Sequence, residues 1–502
     1  MDAAEVGAAL TALGSVALLL ADRRSLFLAG LGVLAAAEAA LVVSLLDTLS
    51  LDRLESAPIV AAVVAAAAVA IGLALLFVRY PTAVPAVVLA AAPLRLPFDV
   101  DADSRFLITR AEAGGLGRLL PLYTVLAIAA LALVIRLVRG ADVRVLPREL
   151  ALPVGAFLAF ASVSLVWSAD QEAAADRIAF YVIPFVVLVV AIANSPFTPR
   201  AQRALGVVAV GLAVVFAAIG VAQAATRQLL FFAPSVEISN AYGGLFRVTS
   251  LFTDPSLYGR HVVLGLAVLL VAVWLRNVSF ALALVLSAIL FTGLYFSYSQ
   301  SSLAALFAVG VAVPLLVGTR LTRKVVAVGA AVVLVAVAVA AIYEVRDASL
   351  REATSGRSRR VDIAVRIFAD HPVAGVGLAA QPRASQERDQ NPAPESSYVS
   401  HTTPLTIAAE LGAIGLALYT AILVGVVLVV DRVRRVSPTL GLTIAAALIA
   451  LFVHALFYSG FFEDPITWFA FGLAGAFAGE RALASRPVAA IGNPESAAGT
   501  AR

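Results

Sequence analysis

Long apolar runs, each closed by charges or a proline, recur along the whole chain. They lie at Val6–Leu20, Ser25–Leu46, Ala57–Val78, Ala83–Leu96, Leu119–Val138, Leu150–Val166, Ile178–Ala193 and Ala204–Ala225. They continue at Val262–Leu275, Val278–Phe296, Leu303–Val317, Val325–Tyr343, Pro404–Val430, Leu440–Phe457 and Ile466–Ala478. A straight transmembrane helix needs about 20 apolar residues, so the pattern predicts an all-α polytopic membrane bundle of about 13–15 spans. The short fourth and last runs are open to a re-entrant path.

The charges between the runs alternate. Arg23/Arg24, Arg79, Arg139/Arg144/Arg148, Arg200/Arg203, Arg276, Arg320/Arg323/Lys324 and Arg432/Arg434/Arg435 fall on one side if every run crosses. The intervening loops are acidic or charge-balanced, so the positive-inside rule puts the N-terminus outside and the C-terminus in the cytoplasm. The acidic start, Met1 to Glu5, lacks the basic n-region of a cleaved signal peptide, so the first run reads as a retained span. The predicted divisions are 1–225, N-terminal spans; 226–343, middle spans with an outer loop of aromatics and arginine; 344–402, a large extracytoplasmic loop; 403–480, C-terminal spans; and 481–502, a disordered cytoplasmic tail.

Composition sharpens this. The chain of 502 residues is 61% hydrophobic and 14% charged, with a mean hydropathy of +0.97. A water-soluble fold cannot hide that much apolar surface, whereas lipid accepts it. A net charge of +4 argues against a nucleic-acid partner, and the absence of cysteine excludes disulfides and thiolate chemistry.

Three outer loops are long enough to ask for a function. The first, Arg95–Arg118, holds Asp99-Val-Asp-Ala-Asp103, which fails as a calcium loop because Ser104 replaces the turn glycine. The second, Thr226–Arg260, mixes aromatics with Arg247, Asp254-Pro255 and Arg260, a composition suited to the headgroup layer. The third, Glu344–His401, contains a helix capped by Thr354 or Ser355 and stopped by Pro372. Val361, Ala364, Val365 and Phe368 form its expected apolar face, and Arg357 shares that face, where an anion or a salt bridge would offset its burial. His401 precedes the thirteenth run. Glu410 lies inside that run, and Gly412 and Gly415 follow with a spacing that suits close helix approach. His454 lies mid-span and reads as a packed histidine with one hydrogen bond. The Ser297–Ser302 run reads as a solvated outer turn.

His401-Thr402, nine residues, then Gly412-Ala-Ile-Gly415 resembles the signature of the O-antigen ligase and O-antigen polymerase family. Ser355-Gly356-Arg357, Asp370-His371-Pro372 through Gly377, and Arg247 through Asp254-Pro255 are similar to further elements of that family. Thr402 stands where the family has asparagine, serine or glutamine, and Ser299-Gln300-Ser301 stands where it often has Ser-Arg-Gly. The resemblance covers roughly residues 240–430.

It implies a glycosyltransferase of the bacterial plasma membrane. The donor would be an undecaprenyl-diphosphate-linked glycan and the acceptor a glycan or glycolipid, with membrane lipids around and no nucleic acid. His401 would be the catalytic base, with Arg247 and Arg357 on the diphosphate. Arg260, Arg360 and Glu410 would support them. Such transfer inverts the sugar carbon and needs no metal or other cofactor. Two alternatives stay open at this level. One is a glycan polymerase of the shape-elongation-division-sporulation kind, using Asp362, Asp370 or Glu395. The other is a secondary transporter or lipid flippase.

Overall fold

The computed structural model describes residues 2–45, 57–94, 119–347, 357–388, 400–458 and 460–484. Among them the chain is helical, without strands. Helices α1 (Ala3–Leu19), α2 (Arg24–Ser44), α3 (Ala57–Arg79), α4 (Val84–Ala91), α5 (Leu120–Val138) and α6 (Arg148–Val163) open the bundle. Helix α7 (Gln171–Arg177) passes through a π turn at Ile178–Val182 into α8 (Ile183–Ala193). The middle holds α9 (Pro199–Thr226), α10 (Pro234–Tyr242), α11 (Pro255–Trp274), α12 (Phe280–Ser297), α13 (Gln300–Val317) and α14 (Arg320–Asp347). Two short helices, α15 (Arg357–Asp370) and α16 (Gln381–Arg388), precede α17 (Thr403–Val436), α18 (Pro438–Ala455) and α19 (Pro465–Ala484).

Eleven of the described helices are long and apolar enough to cross a membrane, and Ala3–Leu19 and Pro465–Ala478 are shorter apolar helices. Each apolar run of the sequence falls on a helix. The fourth run departs from an independent straight crossing: the chain bends by 99° between Ala67–Arg79 and Pro81–Ala91, with Pro81 at the break and Pro85 in the first turn of α4. The Arg95–Arg118 loop, with its aspartate triplet, lies outside the described residues, as do Thr354, Ser355, Glu395 and residues 485–502.

Several helix starts share one local solution. Thr198, Asp254 and Asp464 precede prolines, and the first two accept hydrogen bonds from the opening turns of α9 and α11. Asp464 Oδ1 accepts from Ile466 N at 2.7 Å. A short polar cap followed by proline at the first helical position satisfies donors that the helix leaves open. Asp254-Pro255 is therefore a helix start.

The polar ends of the helices gather into two sets. Arg24 bonds Asp142 at 2.7 Å, Arg144 bonds Ser195 O at 3.1 Å, Arg432 bonds Glu149 at 2.6 Å and Asn277 bonds Thr439 at 3.3 Å. These contacts bring five of the seven basic loops to one end of the bundle, as the charge alternation requires. At the other end Ser168 bonds Leu378 O, Thr402 bonds Leu456 O and Arg260 pairs with Asp464. Helix α14 leans on α13 and buries none of its apolar window, so lipid is its natural neighbour.

Candidate active site

The site grows from a break in α17. At Gly412 the backbone takes φ 63° and ψ −161°, which ends one helical segment and begins another. A break of this kind strands the carbonyls before it and the N–H groups after it. The 371–381 loop crosses here and takes up both. Val376 N and Gly377 N donate to Ala409 O and Glu410 O at 3.0 and 2.8 Å. Ala413 N and Ile414 N donate to Pro372 O and Val373 O at 2.8 and 3.3 Å. A Cβ on Gly412 would stand 2.3 Å from Val373 O, and one on Gly375 would stand 2.3 Å from the Glu410 carbonyl carbon. Gly412 thus admits a loop, where the sequence pattern pointed to close approach by another helix.

Glu410 is buried beside this crossing. Its carboxylate accepts backbone hydrogen bonds from Ala379 and Gln381 and faces Arg177 and Glu463. It pins the loop that clips the broken helix. Ser164 and Ser168, at the two ends of the short turn that follows α6, fasten the same loop, each through a 3.0 Å hydrogen bond to the Leu378 backbone.

Helix α15 packs on the crossing through Ala364 and Ile367, with Ile363 alongside, against Val376, Ala380 and Ala409. The expected face is therefore turned by about a quarter of a helical turn: Ala364 stays buried, but Val365 is 46% exposed while Ile367 is buried. Both sets satisfy the i, i+3, i+4 spacing, and the partner surface selects the second. Arg360 lies half-buried on this inner ridge. Arg357, three residues earlier, opens the helix, and its side chain lies outside the described residues.

His401 occupies a tight corner ahead of α17. Its φ is +57°, in the left-handed region, which costs an ordinary side chain about 1–2 kcal/mol. The corner is fixed on both sides. Ser400 N donates to Gln381 Oε1 at 3.3 Å, and Ser400 Oγ lies 2.5 Å from Thr406 Oγ1. Thr402 Oγ1 donates to Leu456 O at 3.2 Å. The imidazole stands 6.0 Å, centroid to centroid, from the Tyr458 ring, which stands 5.5 Å from His454.

His454 leads on to a cluster of serines. Its Nε2 lies 3.1 Å from Ser256 O and 3.2 Å from Ser301 Oγ. A carbonyl only accepts, so Nε2 carries the hydrogen. Ser301 Oγ lies 3.1 Å from Ser299 Oγ, and Ser299 N donates to Ser297 Oγ at 3.2 Å. All three serines are buried, as is Ser302, which corrects the expectation of a solvated turn. Gln300, at the position where the family often has arginine, is exposed.

Arg247 completes the run. Asn240 fixes its backbone through two 2.9 Å hydrogen bonds, and Arg247 Nε donates to Ser297 O at 3.3 Å. No carboxylate among the described residues pairs with it. Arg260 differs: its guanidinium is 2.7 Å from Asp464 Oδ2, with side-chain exposures of 5% and 0%. It is committed to joining α11 to the start of α19. Behind the His401 corner lies a cavity of about 70 Å³ bordered by Arg177, Thr403, Thr406, Glu410 and Glu463. Arg177 and Glu463 form an ion pair there.

The carboxylates of the rival polymerase reading sit in surface pairs. Asp362 bonds Arg366 at 2.9 Å, and Asp370 pairs with Arg388. Tyr458 and Gln381 escaped the sequence reading, and the buried serines were read as solvent-facing. Their roles come from neighbours far along the chain, although the density of serines in 297–302 was a visible signal.

No curated protein matches the chain. Residues 284–420 match the family model described as O-antigen ligase, a span that takes in the serine cluster, the glycine crossing and His401. Arg247 and Arg260 precede it. Over residues 284–420 this membrane protein is therefore similar to the O-antigen ligase family, in line with the resemblance in its sequence.

Proposed function

We propose that the chain transfers a glycan from undecaprenyl diphosphate to an acceptor hydroxyl at the membrane surface, with inversion at the sugar carbon and without a metal. The observation that carries this reading is the run of contacts from Arg247 through Ser297, Ser299, Ser301, His454 and Tyr458 to His401. It joins a cation suited to a diphosphate and a base suited to a hydroxyl along one end of the bundle.

The step is a single displacement. The His401 imidazole takes the acceptor proton as the hydroxyl oxygen bonds the anomeric carbon. The bond from that carbon to the diphosphate breaks, and the leaving group departs with the electron pair. Arg247 and Arg357 offset its growing charge through forked, charge-assisted hydrogen bonds. Imidazole suits the task because its ordinary pKa lies near neutrality. Glu410 and Arg360 act indirectly, by holding the crossing loop and α15. Arg260 acts by holding α11 against α19.

The purified protein, given a lipid-linked glycan of known anomeric configuration, should yield product of the opposite configuration, at a rate unchanged by a chelator. Retained configuration, or loss of transfer on chelation, would overturn the mechanism.

A further inference from the structure

A second feature lies within the membrane layer. A cleft of about 940 Å³ is lined by α9, α11, α12, α18 and α19. It runs from His261 at the site end to Asn277, just past the end of α11 at the basic end; His261 to Trp274 spans about 20 Å at 1.5 Å per residue. Its walls are aliphatic, including Leu264, Val268, Leu286 and Leu473.

The polar lining is not spread evenly. Gln202, Arg203, Asn277, Ser437, Thr439 and Thr443 all stand at the basic end. At the far end, His261 turns its Nδ1 to Leu257 O at 2.8 Å and stacks on Phe252. Arg203 is exposed, and no carboxylate among the described residues pairs with it. The cleft therefore has the polarity of an amphiphile, with a long apolar channel and a cationic, hydrogen-bonding mouth.

We infer that this cleft binds an anionic phospholipid of the leaflet at the basic end, with an acyl chain along the channel and the headgroup phosphate at Arg203. Charge complementarity selects the headgroup, because a basic residue near the surface attracts anionic lipid. The site is separate from the glycan-transfer end. Its walls nevertheless belong to α11, α18 and α19, the helices that carry Arg260, His454 and the Asp464 cap. A lipid held there would set the spacing of those helices.

The test is exchange of the purified full chain with vesicles of phosphatidylglycerol and phosphatidylcholine, followed by mass spectrometry of the intact complex. Phosphatidylglycerol should be retained about fivefold over phosphatidylcholine, the worth of one basic residue at a membrane surface. Arg203→Gln should erase that preference. Ala209→Phe combined with Ala272→Phe should cut retention of both lipids. Gly206→Leu serves if that pair fails to fold, as judged by gel filtration. Equal retention of the two lipids, or retention unchanged by filling the channel, would overturn the site. So would displacement of phosphatidylglycerol by undecaprenyl phosphate, which would assign the channel to the donor tail.

Discussion

The two ends of the bundle use charge in opposite ways. At the basic end the pairs are wet: Arg24 and Asp142 are 43% and 91% exposed, and Arg432 and Glu149 are 43% and 38% exposed. At the other end Arg260 and Asp464 are 5% and 0% exposed and join helices two hundred residues apart. Exposed pairs contribute little to stability but set orientation through the membrane. A buried pair carries a desolvation cost, which its geometry must offset, and removing one partner leaves a charge stranded. The basic end is thus readable as an address, and the site end as a scaffold whose polar groups hold one another in place.

Arg260→Ala should give the largest loss of stability, about 3–5 kcal/mol, because Asp464 would remain buried alone. Thermal unfolding in detergent would show it, and Arg260→Met with Asp464→Asn, which removes the stranded charge and keeps the Oδ1 cap on Ile466 N, should recover most of the loss. Arg432→Ala at the basic end should cost about 0–1 kcal/mol. Equal losses at the two ends would erase the contrast drawn above.

Glycine substitutions should separate strained backbone from open helix. Gly412→Ala should destabilise by about 1–3 kcal/mol or more, since the left-handed backbone and the Val373 carbonyl both reject a side chain. Gly310→Ala, in α13 with open space around it, should stabilise by about 0.5–1 kcal/mol. The opposite signs are the point of the pair, and chemical denaturation would read both.

The smallest effect on the molecule, and the direct check on sidedness, comes from cysteine labelling. Glu387→Cys, at a side chain 64% exposed, should react with an impermeant reagent in intact cells. Asp142→Cys, at a side chain 91% exposed, should react only after lysis. Ser385, though in the same outer loop, is buried and unsuited to this test. The reverse pattern would invert the topology.

Helix positions were legible because apolar runs near the length of a bilayer crossing have few other fates. The gathering of basic loops was legible for a related reason, since sidedness depends on local charge and hardly on tertiary contact. The glycine spacing after His401 was visible, but its meaning was not. Sequence marks Gly412 as small, whereas the structure uses its positive φ. The face of α15 was misjudged by about a quarter of a turn because its partner is a loop brought in by the crossing. The serine run looked like solvent-facing polarity until His454, about 150 residues later, supplied its neighbour. Arg260 read as a support for the diphosphate-binding arginines until Asp464, about 200 residues later, supplied its partner. Contacts at such separations leave no periodic trace in the chain.

The account stands or falls on His401. The measurement is glycan transfer by purified His401→Ala, alongside donor binding by the same protein. His371→Ala is the control, because His371 is exposed, whereas His454 packs against Ser301 and Tyr458 and is unsuited to that role. Donor binding should survive in His401→Ala while transfer falls by about 10²–10⁴-fold, the usual worth of a general base. Near-normal transfer by that variant would remove His401 from the chemistry and contradict the account.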